Sequence, residues 1–206
     1  MTLAIIIITV ITSLMAFSNQ ALMGKLIFNP YKVLHNKEWF RFISSGLIHA
    51  DFMHLFINMF VFYSFGSAVE IYFGQVFAEH AQLYYLILYI GALIISIVPS
   101  YARHKNDFNY NALGASGAVA AVLFASVIFN PLGSVYVYFI KMPAIIMAVL
   151  YVGYEYYMGK KGGDNINHDA HLWGAIFGVV FTIGLKPSLG LYFLDQLMNF
   201  SSSNNL

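Results

Sequence analysis

Residues 114–129 read Gly114-Ala115-Ser116-Gly117-Ala118-Val119-Ala120-Ala121-Val122-Leu123-Phe124-Ala125-Ser126-Val127-Ile128-Phe129. The stretch holds no charged side chain, and apart from Val119 its first eight positions are Gly, Ala or Ser. Bounded by an Asn-rich segment on one side and by Asn130-Pro131-Leu132-Gly133 on the other, it reads as a helix. A helix with so little side-chain bulk lets neighbouring backbones come close, which is how helices associate inside a bilayer. Near its start it carries one hydroxyl, Ser116.

The composition of the rest points the same way. Of 206 residues, 60% are hydrophobic and 9% are charged, against about 25% charged in an ordinary soluble domain. The mean hydropathy is +0.71. Too few polar side chains exist to coat a water-facing surface, so the chain reads as an all-α, polytopic membrane protein. A net charge of +1 with no single Lys/Arg cluster leaves no basic field to hold nucleic acid. Zero cysteines exclude disulfides, thiolate metal ligands and a cysteine nucleophile.

A bilayer core of about 30 Å needs about 20 mostly apolar residues per helix. Runs between charged or Gly/Pro/Asn-rich breaks predict six spans, at Leu3 to Phe17, Phe52 to Tyr72, Leu83 to Tyr101, Gly114 to Phe129, Tyr136 to Tyr157 and Ala170 to Lys186. The first lacks the basic start of a secretory signal and is expected to be retained. Residues 1–206 then form one membrane domain, with a core at about 39–186 and a tail at 187–206 too short to cross. Leu189, Phe193, Leu197 and Phe200 recur near helical spacing, which lays the tail along the interface. Both termini share one side with two short turns, and the longer loops face the other. Eight of the ten Lys and Arg, Arg41 and Arg103 among them, fall on the long-loop side, which the positive-inside rule assigns to the cytoplasm.

Polar groups inside a span are costly, so each is a functional candidate, with helix packing as the plain alternative. His54 and Asn58 lie four apart and share one face of the second span, with His49 at its loop end. In the sixth span His171, Gly174 and Gly178 fall at i, i+3 and i+7 and line one stripe. That stripe can meet the small residues of the fourth span backbone to backbone, which brings Ser116 and His171 to similar depth. A serine needs an adjacent base to become a nucleophile, and His171 is placed to be one. The tetrahedral intermediate of acyl transfer needs donors, and His54, Asn58 and the Ser116 backbone N–H supply them. The parts are complete without an acid, since Asp169, two residues before His171, points away and reads as a loop residue or cap. His49 and His54 are five apart, off the i, i+4 spacing of a metal pair, and no HExxH occurs, so no metal is expected.

Gly114-Ala115-Ser116-Gly117 opening one helix and Ala170-His171-Leu172-Trp173-Gly174 with Gly178 opening the helix two spans later resemble the rhomboid family of intramembrane serine proteases. His49-Ala50-Asp51-Phe52-Met53-His54 followed by Asn58 and Glu70 is similar to that family's His-rich second helix, and the resemblance runs from about Trp39 to Gly178. It implies a six-helix bundle in which Ser116 is the nucleophile and His171 the general base and acid, with His54 and Asn58 as oxyanion donors. His49 would be a structural residue at the cavity mouth, and Arg41 and Glu70 stabilisers. Gly114, Gly117, Gly174 and Gly178 would support the site. It further implies cleavage of transmembrane segments of other proteins without a cofactor, in a multi-pass protein of the bacterial inner membrane whose active site faces the extracytoplasmic side, against the charge count. Two positions depart from the family pattern. Ala120 stands where many members carry a Tyr that packs on the base, so another group must orient His171. The usual Trp-Arg pair reads Trp39-Phe40-Arg41.

The glycine-rich segment Gly159-Lys160-Lys161-Gly162-Gly163-Asp164-Asn165 reads as a flexible cap, with the fifth span as lateral gate. The rival readings are an inactive rhomboid-like binder of membrane clients, and a small channel or proton-coupled carrier built on the histidines of the second span.

Overall fold

The computed structural model describes residues 1–137, 139–164 and 166–203, with side chains through residue 199. Its elements are α1 (Thr2–Ser18), α2 (Gln20–Leu26), α3 (Pro30–Asn36), α4 (Arg41–Ser44), α5 (Phe52–Phe77), α6 (Ala81–His104), α7 (Ser116–Phe129), β1 (Ser134–Val137), β2 (Ile140–Pro143), α8 (Ala144–Lys161), α9 (His168–Leu185) and α10 (Ser188–Ser203). Asn165 and the Phe200 side chain, both used in the sequence reading, lie outside the described residues.

α7 is the axis of the bundle. Every residue from Gly117 to Phe129 is buried, because α5, α6 and α9 surround it. A helix apolar all round has no face that requires water, and this one is walled by protein rather than lipid. Its 14 residues span only about 21 Å, short of a bilayer core, since a helix enclosed on all sides need not match the lipid thickness. Gly174 and Gly178 of α9 set its closest contact. A Cβ at Gly174 would sit 2.0 Å from the Gly117 carbonyl oxygen, and one at Gly178 would sit 2.1 Å from that of Ala121. The expected backbone-to-backbone approach of these two helices is therefore present.

Burial is inverted relative to a soluble protein. Phe52, Met53, Phe56 and Phe60 of α5 are exposed, while Asn58, Ser96, Glu155, His168 and Thr182 are buried. Apolar outward faces with polar groups held inside suit an apolar solvent. By length and composition the helical stretch Phe52–His104 is able to cross a membrane. It comprises α5 and α6, which reverse through Ala78–His80 and pack side by side, with the Phe62 and Tyr89 rings 5.0 Å apart. His168–Leu185 with Ser188–Asn199 passes the same test across a 111° bend, and Thr2–Ser18 and Ser116–Phe129 are shorter apolar helices.

The expected span at Tyr136 to Tyr157 is corrected. Its first part forms the antiparallel hairpin of β1 and β2, with Val135 opposite Met142 and Tyr136 opposite Lys141, so the fold is mostly helical rather than all-α. Val135, Tyr136 and Val137 favour a pleated strand, and Pro143 precedes the first turn of α8. At its other end α8 continues to Lys161, so Gly159 belongs to the helix and the following loop begins at Gly162. Gly162 and Gly163 have φ of 61° and 103°, a left-handed backbone that glycine tolerates.

Candidate active site

Ser116 is the first residue of α7, and the turn before it depends on Gly114. Gly114 has φ of 109°, and a Cβ there would lie 2.8 Å from His54 Cε1, so both conformation and space require glycine. The half-buried Ser116 hydroxyl points across to α9, where its Oγ is 2.7 Å from His171 Nε2. Gly117 allows the same turn to sit against Ser96 of α6 and the Ala170 carbonyl.

Beside this pair lies a cavity of about 1000 Å³, lined by His54, Asn58, Ser116, Tyr151, Glu155 and His171 together with further polar and apolar side chains. Asp51 caps α5, accepting the His54 backbone N–H at 2.8 Å. One amide N–H of Asn58 is donated to the His54 carbonyl at 2.9 Å, which leaves its second for the cavity. His49 is fully buried and does not line the cavity. Its Nδ1 is 3.1 Å from Ser13 Oγ of α1, and its ring meets that of His54 edge-on at 5.0 Å, so it buttresses His54 and ties α1 to the bundle.

Arg41 and Glu70 lie away from the cavity. Buried Arg41 donates to Glu38 at 2.6 Å and to the carbonyls of Gly24 and Ile27, which binds α2 to α4. Hydrogen bonds from Asn36 and Arg41 hold the Glu38 carboxyl below the usual carboxylate range. Glu70 holds the amino group of Met1 and the N–H of Thr2, about 24 Å along α5 from His54. Asp169 pairs with Arg103 and is not the cap of α9; Asn167 fills that role, its Oδ1 accepting the Ala170 N–H at 3.1 Å.

The structure adds three side chains that the sequence reading passed over. Glu155 of α8, 5% exposed, places Oε1 3.0 Å from His171 Nδ1 and Oε2 2.6 Å from His168 Nδ1. His168 Nε2 in turn lies 3.1 Å from an Asp164 oxygen in the glycine loop, and that hydrogen bond holds the Asp164 carboxyl below its ordinary range. Tyr151, one helical turn from Glu155, lays its ring near-parallel to His171 at 6.5 Å between centroids. So α8, and not the Ala120 position, brings a carboxylate and an aromatic ring to His171. The sequence reading needed no acid for acyl transfer and set Asp169 aside; the carboxylate that lies against His171 is Glu155. The signal was present: Glu155 is an ionisable residue inside an apolar run, which marks a site by default.

The family model described as Rhomboid domain matches residues 36–188. The chain belongs to the rhomboid family. Among its relatives, a mitochondrial RHOMBOID-like protein 12 of Arabidopsis thaliana is 29% identical over 67% of this chain and 44% of its own. The rhomboid relative YdcA of Bacillus subtilis is 27% identical over 71% of this chain and 67% of its own. The human presenilin-associated rhomboid-like protein, mitochondrial, is 30% identical over 66% of this chain and 35% of its own. The chain thus spans less than half the length of the mitochondrial rhomboid relatives it matches. The family is membrane-embedded and includes serine proteases; with mitochondrial and bacterial relatives alike, membership places the chain in a membrane without choosing which.

Proposed function

We propose that this chain is a rhomboid intramembrane serine endopeptidase that hydrolyses peptide bonds in or near transmembrane segments of other membrane proteins. The reading is carried by the 2.7 Å contact of Ser116 Oγ with His171 Nε2 at the wall of a cavity that also holds His54 and Asn58. As Ser116 Oγ attacks the scissile carbonyl, its proton passes to His171 Nε2 and the carbonyl electron pair moves onto oxygen. His54, the free N–H of Asn58 and the Ser116 backbone N–H donate to that oxyanion, each worth about 100- to 1,000-fold in rate. His171 then protonates the departing amine. Water, deprotonated by the same nitrogen, releases the acyl group from Ser116. No cofactor enters the reaction.

The substrate is a transmembrane helix whose own hydrogen bonds shield its peptide bonds, so local unwinding at small or helix-breaking residues precedes cleavage. We read the chain as a six-span, multi-pass protein of the bacterial inner membrane, with the cavity opening on the extracytoplasmic side. Because the sequence has no cysteine, single-cysteine labelling of loop 105–115 in intact cells tests that orientation directly.

Ser116→Ala and His171→Ala in liposomes, each with a transmembrane substrate, test the activity. Cleavage and fluorophosphonate labelling of Ser116 are expected in the wild type, with cleavage absent from both variants. Normal turnover by Ser116→Ala would rule the serine mechanism out. An unlabelled, inactive wild type that retains substrate would instead make the chain a client binder.

A further inference from the structure

Glu155 is a carboxylate buried in a helix bundle, where an uncompensated charge is prohibitively costly. Its compensation is legible in the donors around it. His168 presents Nδ1 to Glu155 Oε2 at 2.6 Å and Nε2 to Asp164 at 3.1 Å. With both carboxyls ionised, each accepts from the ring nitrogen facing it, which makes His168 an imidazolium held between two carboxylates. This cation balances Glu155 through one oxygen and leaves the other, Oε1, facing His171 Nδ1 at 3.0 Å.

We propose that Glu155 is the positioning residue for His171, which turns the Ser116–His171 pair into a nucleophile–base–carboxylate line with His168 as the counter-ion of the carboxylate. The inference rests on the reading of Ser116 and His171 as the reacting pair. A carboxylate at Nδ1 fixes the proton there, so Nε2 offers its lone pair to the Ser116 hydroxyl. When Nε2 takes the serine proton, the ring becomes an imidazolium with Nδ1–H directed at Glu155. The proton stays on His171 until Nε2 delivers it to the leaving amine, and Glu155 remains ionised throughout. Shielding from water strengthens this stabilisation. Tyr151, on the same face of α8, restrains the ring from its flat side.

The same three side chains, Glu155, His168 and His171, bring ligand atoms within 4.8 Å of one another, close enough to hold a metal ion. The hydrogen bonds on both nitrogens of His168 and both oxygens of Glu155 satisfy the cluster through protons, and the two arrangements give opposite results below.

The test uses the full chain in liposomes. Glu155→Gln keeps the shape and removes the charge, and its kcat is expected to fall about 10⁴-fold with KM nearly unchanged, the range in which loss of such a carboxylate acts. Fluorophosphonate labelling of Ser116 should slow in parallel, and Glu155→Asp should recover part of the rate. In ¹⁵N-histidine NMR of the wild type, the signal assigned to His171 by its loss in His171→Ala should show a protonated Nδ1 and a bare Nε2. That measurement does not depend on whether Glu155→Gln folds. Finding the proton on Nε2, or a Glu155→Gln enzyme with wild-type kcat, overturns the proposal. So does an activity abolished by 1,10-phenanthroline and restored by zinc. If His171→Ala itself cleaves normally, the reading of the base has failed; if only Glu155→Gln does, the base stands and the role of Glu155 has failed.

Discussion

Two walls of the cavity hold His171 by different means. The wall formed by α7 and α9 is backbone against backbone, with Gly174 and Gly178 seated on the carbonyls of Gly117 and Ala121. The wall formed by α8 and α9 is side chain against side chain, through Glu155, Tyr151, His168 and the loop that carries Asp164. The first has no slack, because no rotamer exists to absorb a displacement. The second is a set of hydrogen bonds and one ring contact, each able to lengthen. Ser116 is thus held to His171 by the rigid wall, while the groups that aim the imidazole come from the adjustable one. A substrate helix that moved α8 aside would leave the nucleophile and base at the same separation but loosen the ring.

The largest effect comes from breaking the rigid wall. Gly178→Leu puts a side chain where a Cβ alone would be 2.1 Å from the Ala121 carbonyl oxygen, and backbone cannot give way as a side-chain tip would. The expected cost is at least about 3 kcal/mol, the upper end of overpacked cores, with separation of α7 from α9 and loss of the Ser116–His171 contact. Thermal unfolding of the purified variant checks this, and an unchanged midpoint would show the wall to be more yielding than its geometry.

This wall was also the part most open to sequence reading. The i, i+3, i+7 spacing of His171, Gly174 and Gly178 against Gly117 and Ala121 fixes which faces meet, because small residues at helical spacing have few other uses. The adjustable wall was hidden for a physical reason. Glu155 sits among Tyr151, Tyr154, Tyr156 and Tyr157, and nothing in one chain's spacing says that a glutamate on one helix reaches a histidine 16 positions later. His168 was masked by its place beside the more suggestive His171. The hairpin at 134–143 was lost in an apolar run whose β-branched and aromatic residues fit a span or a strand equally well.

A middle-sized effect is expected from the adjustable wall itself. Tyr151→Leu removes the ring beside His171 and keeps apolar bulk at the cavity lip. Aromatic pairs of this kind are worth about 0.5–1.5 kcal/mol, so kcat should fall by about 2- to 13-fold with the unfolding midpoint little changed. A loss comparable to that of His171→Ala would mean that the ring, rather than Glu155, aims the base.

The smallest effect belongs to the outermost member, Asp164, fixed to the bundle by His168 and followed by an Ile166 N–H that bonds back to it at 3.3 Å. Its carboxyl titrates below the ordinary range because it accepts from His168, so folding favours its charged form. The contact is therefore fully present above the ordinary carboxylate range and is lost as pH falls through the lower folded value. Asp164→Asn removes the charge at every pH. Hydrogen exchange at Ile166 and Asn167, corrected for intrinsic rate, should show the wild type better protected than the variant at neutral pH, with the two converging in acid. Activity at neutral pH should drop by less than about 5-fold, the most an exposed ion pair contributes. Convergence in acid separates charge from loop shape, because a difference persisting below the carboxylate range would have to come from the side chain's packing and not from the ion pair with His168.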